Sequence, residues 1–167
     1  MIIVGIDPGF RGAVAVNSDD SLVTTPFKKT PEGLLDITGI RELAFLDNKV
    51  TVFLEDVHSI PNSSAKSNFQ FGRCLGMIEM ALYIWSIEVH YVQPKVWQKE
   101  VWTEEDKVYK QGKVKRLDTK GTSLNACNRL YPNVNLLATP RSKVPHDGIV
   151  DAILIAHYGK LKLNLDN

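Results

Sequence analysis

Residues 1–13, MIIVGIDPGFRGA, constrain the fold more than any other stretch of the chain. Ile2, Ile3, Val4 and Ile6 form a short apolar run closed by turn residues, the pattern of a strand buried on both faces. Asp7 ends that run. Pro8 and Gly9 follow at once, so the carboxylate sits at the rim of a core, where a lone charge is costly unless a cation meets it. A metal ion is a natural partner. Gly9 and Gly12 permit a tight turn and the apolar run resumes over 13–16, which predicts a hairpin with Asp7 near its turn. Taken alone, the stretch is equally a strand closed by an Asp-Pro-Gly turn, because Asp favours turns through local hydrogen bonds.

A chain of 167 residues, 44% hydrophobic and 23% charged, suits one globular domain over 1–167 with a structured core at about 2–158. No apolar run approaches the ~20 residues that span a membrane. With no secretory leader pattern either, the expectation is a cytoplasmic protein with no membrane partner. Cys74 and Cys127 lie far apart without metal-site spacing, so both are expected to be buried thiols.

The net charge is only +1, but it is unevenly spread. Residues 1–94 carry 7 Lys and Arg against 11 Asp and Glu, whereas 95–143 carry 11 against 5. An acidic body beside a basic segment suits a protein that holds metal ions next to a polyanion, although a solvated lysine-rich surface has the same composition. Most of the basic excess lies at Lys107, Lys110, Lys113, Lys115, Arg116 and Lys120. Weak apolar periodicity there suggests a phosphate-contacting segment, part of which orders only on DNA.

Along the chain, residues 22–27 predict a third strand, and 31–48 a helix with Thr30 as N-cap and Pro31 at its first position. Residues 50–54, VTVFL, read as a buried strand that ends in Glu55, repeating the design of Asp7. Neighbouring strands would bring these two carboxylates together, while a strand-terminal acid facing water is the plainer reading of Glu55. A loop is expected over 58–68 and a long helix over 64–86, apolar around more of its circumference than one core stripe needs. That surplus suggests burial against a second subunit, although a central helix of a single domain has the same pattern. Gly72 and Gly76 are spaced for close helix packing, Phe69 is expected in the core, and a strand over 89–92 leads through Pro94 to Trp97. A helix from 119 runs to Pro132, and a last helix occupies 145–158. Asp147 and Asp151 are four apart on one face of that helix. They repel, the helix N-terminus offsets part of this, and an acidic first turn is common in itself. Four acids, each at the end of a strand or the start of a helix, are harder to read as four accidents.

GIDPG after the first strand, LED after a central strand and HDG-x-x-DA at 146–152 resemble the RuvC-type Holliday junction resolvases of phage type, within the ribonuclease H-like superfamily. The resemblance implies an α/β fold with a mixed five-stranded sheet flanked by helices in a single domain. It implies a homodimeric crossover junction endodeoxyribonuclease of a bacterial or phage-infected cytoplasm that binds and cleaves branched DNA, above all four-way junctions. By likeness, Asp7, Glu55, Asp147 and Asp151 hold Mg²⁺ or Mn²⁺, and Lys120 is the basic residue near the scissile phosphate. The bacterial pattern spaces its last two ligands three apart, which here would be Gly148 and Asp151, so another residue must serve. Asp147 suits Mg²⁺ better than His146, which is left as a phosphate or water contact or a helix cap.

Hard divalent cations prefer oxygen ligands, which fits acids rather than thiols, and no small-molecule cofactor is called for. Two ions about 4 Å apart activate a water and stabilise the leaving 3′-oxygen, giving 5′-phosphate and 3′-hydroxyl ends. A two-fold dimer would cut two strands symmetrically. His58 and Phe69 are loose candidates for stacking on unpaired bases. An actin-like ATPase or sugar kinase needs a second domain copy, and a non-catalytic branched-DNA-binding protein gives no reason to collect four acids. A less selective fork or flap endonuclease is the nearest alternative.

Overall fold

A computed structural model describes residues 1–46, 49–57, 63–112 and 114–163. Five strands, β1 (Ile2–Asp7), β2 (Ala13–Asn17), β3 (Leu22–Pro26), β4 (Val50–Glu55) and β5 (Glu88–Val92), form one sheet in the order β3-β2-β1-β4-β5. The β1/β2 and β2/β3 pairs are antiparallel hairpins, whereas β4 is parallel to both β1 and β5. Five helices follow in the chain order α1 (Thr38–Leu43), α2 (Ala65–Ile84), α3 (Pro94–Val101), α4 (Thr119–Leu130) and α5 (Asp147–Lys162). The mixed sheet flanked by helices is the architecture expected.

The period of two in a strand sorts the core into two layers. Ile2, Val4 and Ile6 of β1, with Val52 and Leu54 of β4, pack against Ile40 and Leu43 of α1 and Cys74, Ile78 and Leu82 of α2. Ile3 and Phe53 face the other way, toward Trp97 of α3, Ala126 and Cys127 of α4, and Ile149, Ala152, Ile153 and Ala156 of α5. Each fully buried Ile or Leu in these layers contributes about 1.5–3 kcal/mol. The α5 helix is buried along most of its length and lies hard against β1. A Cβ at Gly5 would fall 2.1 Å from the Ala152 carbonyl oxygen, so only glycine admits that approach.

Several expectations change. Of the helix expected over 31–48 only Thr38–Leu43 is helical, and residues 47 and 48 lie outside the described residues. Thr30 Oγ1 accepts the Leu34 N–H at 3.3 Å, Lys29 bridges to Leu35, and Gly33 at φ +79° turns the chain. Asp36 then accepts from the Thr38 N–H at 3.0 Å, and the helix starts only there. The basic segment, expected to order in part only on DNA, is already folded. Thr103 and Asp106 form a capping box around a 3₁₀ turn, and β6 (Tyr109–Lys110) pairs with β7 (Arg116–Leu117) as a hairpin, although residue 113 lies outside the described residues. Phe69, expected in the core, is 67% exposed, because α2 buries one stripe only and leaves Met80, Tyr83 and Ile84 in solvent as well. Both cysteines are buried, and among the described residues no helix is long and apolar enough to cross a membrane.

Candidate active site

Strand parity places the first two acids. Asp7 shares the face of Ile3 and Gly5, and Glu55 that of Phe53, so both are directed to the side covered by α5. Their strands are parallel neighbours with Ile6 opposite Leu54, so the next residues in register, Asp7 and Glu55, end side by side at the carboxyl edge of the sheet. That edge is where open α/β sheets build their sites.

The N-terminus of α5 meets the same edge. His146 caps it, its Nδ1 accepting the Ile149 N–H at 3.3 Å, and burial holds the imidazole below its ordinary pKa, so the neutral ring can accept. Asp147 opens the helix and pairs with Lys120 Nζ of α4. Asp151, one turn further, is hydrogen-bonded by the Ser123 hydroxyl of α4.

The acids sense one another. Asp7 is held well above the usual carboxylate range, first by burial and then by repulsion from Glu55, Asp151 and Asp147, with Lys120 opposing. Glu55 is pushed up from 4.5 to about 7 by burial, against the lowering effect of a hydrogen bond from Trp97 and with a further rise from Asp151. Burial raises Asp151 from 3.8 to about 6, with Ser123 and Lys120 lowering it and Asp147 raising it. Such mutual elevation is what a divalent cation would relieve, and an all-carboxylate donor set matches a hard ion. The side chains themselves stand apart: among the described residues no three acids, histidines or cysteines are gathered around one point.

A cleft of about 990 Å³ is lined by Asp7, Glu55, Lys120, His146 and Asp147, and a hollow of about 310 Å³ beside it by Asp151 and Ser123. Lys120 and Asp147 line both, so their ion pair stands between the two spaces. Among the described basic residues singled out in the sequence, Lys120 alone lines the cleft. Lys107 pairs with Glu104, Lys110 lies 4.0 Å from Asp118, Lys115 sits 3.9 Å over the Tyr109 ring, and Arg116 is exposed on β7. Lys113 and His58 lie outside the described residues. Arg11, Lys66 and Lys143 line the cleft instead and carry no sequence pattern that marks them. Arg11 lay within reach of inference, since it follows the Asp7 turn directly.

No family model matches the sequence, and no curated protein does either. Among solved structures, RuvC of T. thermophilus in complex with a Holliday junction substrate is similar at a TM-score of 0.60, with 14% identity over 99% of this chain and 96% of that one. The chain has the RuvC fold. A second structure, Thermus thermophilus RuvC, is similar at a TM-score of 0.51 and 15% identity, over 98% and 97% of the two chains. Against the RuvC-type pattern, the glycine at 148 now has a steric reason. A Cβ there would lie 2.2 Å from the Arg11 carbonyl oxygen and 2.7 Å from the Gly12 Cα, so α5 packs directly on the turn that follows β1. Position 148 has no room for a ligand. Asp147 beside it is exposed at the first turn of α5 and, like His146, lines the cleft.

Proposed function

We propose that the chain is a divalent-metal-dependent endonuclease that cleaves branched DNA, resolving four-way junctions by paired nicks. The observation that carries this reading is that Asp7 and Glu55, at the ends of adjacent parallel strands, lie near enough to the α5 acids to feel their repulsion, beside a cleft edged by Arg11, Lys66, Lys120 and Lys143. Nearby positive charge draws in a polyanion, and half-buried, mutually repelling acids reward a dication.

In this reading Asp7, Glu55, Asp147 and Asp151 hold Mg²⁺ or Mn²⁺. A metal held by these residues would supply an activated water and stabilise the departing 3′-oxygen, giving 5′-phosphate and 3′-hydroxyl ends. The chain does the rest. The backbones of Asp7 and Glu55 are held because their strands are pinned in the sheet, and Asp151 is oriented by Ser123. Lys120 exchanges Asp147 for the scissile phosphate, and His146 keeps the N-terminus of α5 in register. Lys107, Lys110, Lys115 and Arg116 extend the phosphate-contacting surface at and beside the hairpin, and Lys113, outside the described residues, is assigned the same role. A homodimer in the cytoplasm, one domain per chain, would carry two sites related by a two-fold axis. The exposed α2 stripe of Phe69, Met80, Tyr83 and Ile84, with open space over Gly72 and Gly76, supports pairing of two copies.

The test incubates the protein with a four-way junction, a three-way fork and linear duplex, with Mg²⁺ or with EDTA, and maps the cuts. Symmetric paired cuts in the junction alone, abolished by EDTA, are expected. Equal cutting of the fork would make it a general branched-DNA nuclease, and binding without cutting would overturn the enzyme.

A further inference from the structure

Trp97 of α3 is fully buried in the core that α3 shares with α4 and α5, and its ring packs edge-on against Trp102 with centroids 5.8 Å apart. From that fixed seat its Nε1–H donates to Glu55 Oε1 at 2.9 Å, across 42 residues of sequence. An indole N–H donates and never accepts, so it binds one carboxylate oxygen in one orientation. Glu55 Oε2 has no hydrogen-bond donor among the described residues.

We infer that Trp97 is the positioning residue for Glu55: its indole N–H fixes the carboxylate rotamer and leaves Oε2 to face a divalent cation. The inference rests on the metal-dependent reading above and adds a second layer to it. A glutamate has three side-chain torsions, and a ligand free to rotate binds an ion less well than one already aimed. Donors behind the ligands of a metal site typically account for about 10- to 100-fold in affinity. Trp102 supplies an internal comparison, since it is the same residue type in the same core and its buried Nε1 has no partner among the described residues.

Trp97→Phe and Trp102→Phe are therefore compared in the full-length protein, with Mn²⁺ binding followed by electron paramagnetic resonance and cleavage of a four-way junction measured against Mg²⁺. Trp97→Phe should bind Mn²⁺ about 10- to 100-fold more weakly and recover cleavage as Mg²⁺ is raised, while Trp102→Phe stays near wild type. Wild-type Mn²⁺ affinity in Trp97→Phe would overturn the inference and leave the nuclease reading standing. Should Trp97→Phe fail to fold, the indole ¹H–¹⁵N signal of Trp97 in the unaltered protein decides. It should move on Mg²⁺ titration and again in Glu55→Gln, and a signal indifferent to both overturns the inference. A wild-type protein that neither binds Mn²⁺ nor cuts any branched DNA would instead sink the nuclease reading, and this inference with it.

Discussion

Two carboxylate sites in this molecule, one buried and one half-buried at the edge of the sheet, are built in opposite ways. Asp106 is only 3% exposed, yet it accepts hydrogen bonds from Arg129 Nε at 3.0 Å and Nη2 at 2.8 Å, and from the Thr103 N–H at 2.8 Å and Oγ1 at 3.0 Å. Arg129 and Thr103 hold it below the usual carboxylate range. Asp7 is half-buried beside three other acids, and its pKa is driven up. A buried charge that the protein fully satisfies is structural. One left to be satisfied by something else marks a place where a ligand belongs.

The sharpest way to break the comparison is to neutralise each site. Asp7→Asn or Glu55→Gln should abolish junction cleavage while leaving junction binding intact or tighter and the metal-free fold as stable as before, because each removes a repelling acid. Asp106→Asn should do the reverse, costing about 2–4 kcal/mol in chemical denaturation with cleavage per folded molecule unchanged. Full nuclease activity in either of the first two variants would end the metal-site reading.

Gly148→Asp comes next. Restoring the ligand spacing of the RuvC-type pattern would drive a side chain into the Arg11–Gly12 backbone, with an expected loss of at least about 1–3 kcal/mol and no gain of activity. A stable, active variant would show that α5 can shift away from the turn. At the neighbouring positions, Asp147→Asn should impair cleavage most in limiting Mg²⁺. His146→Ala should cost about 1 kcal/mol of helix capping and retain cleavage. The opposite pattern would transfer the ligand role to the histidine.

The two sites also differ in pH dependence. Glu55 titrates near 7 and Asp151 near 6 in the folded protein, against ordinary values of 4.5 and 3.8. Between those limits these two acids bind more protons in the folded state than in the unfolded chain, so their contribution to stability falls as pH rises from about 4 to about 7. Metal-free protein should therefore melt at a lower temperature at pH 8 than at pH 5, and Mg²⁺ should raise the midpoint far more at pH 8. Asp106 has the opposite sign: its contribution is present above its ordinary pKa and is lost only as pH falls through its depressed one. A melting midpoint that rises steadily from pH 5 to pH 8 without metal would contradict the raised acids.

The smallest effects concern the basic side chains. Lys66→Ala, Lys143→Ala and Lys120→Ala should each make the slope of log affinity against log salt shallower by about 0.9 per lost phosphate contact. Lys115→Ala and Lys110→Ala test whether the hairpin shares that surface. Unchanged slopes in those two would confine the DNA to the cleft.

Much of this was legible in the sequence because it is local. The run that closes on Asp7, the run that closes on Glu55 and the acids four apart at 147 and 151 are written in alternation and helical period, which near neighbours enforce. The sheet and α2, α4 and α5 follow the same rule. Where local signals competed, the reading slipped: the capping pattern at Thr30 and Pro31 promised a long helix, but Gly33 and the Lys29–Leu35 bridge made a turn there. The tertiary structure alone decided that Arg11, Lys66 and Lys143 edge the cleft, that Phe69 stays in solvent, that Gly148 is filled by the Arg11–Gly12 turn, and that Trp97 reaches Glu55. These depend on strand order and on how closely α5 lies on β1, and a contact spanning 42 residues leaves no periodicity to read.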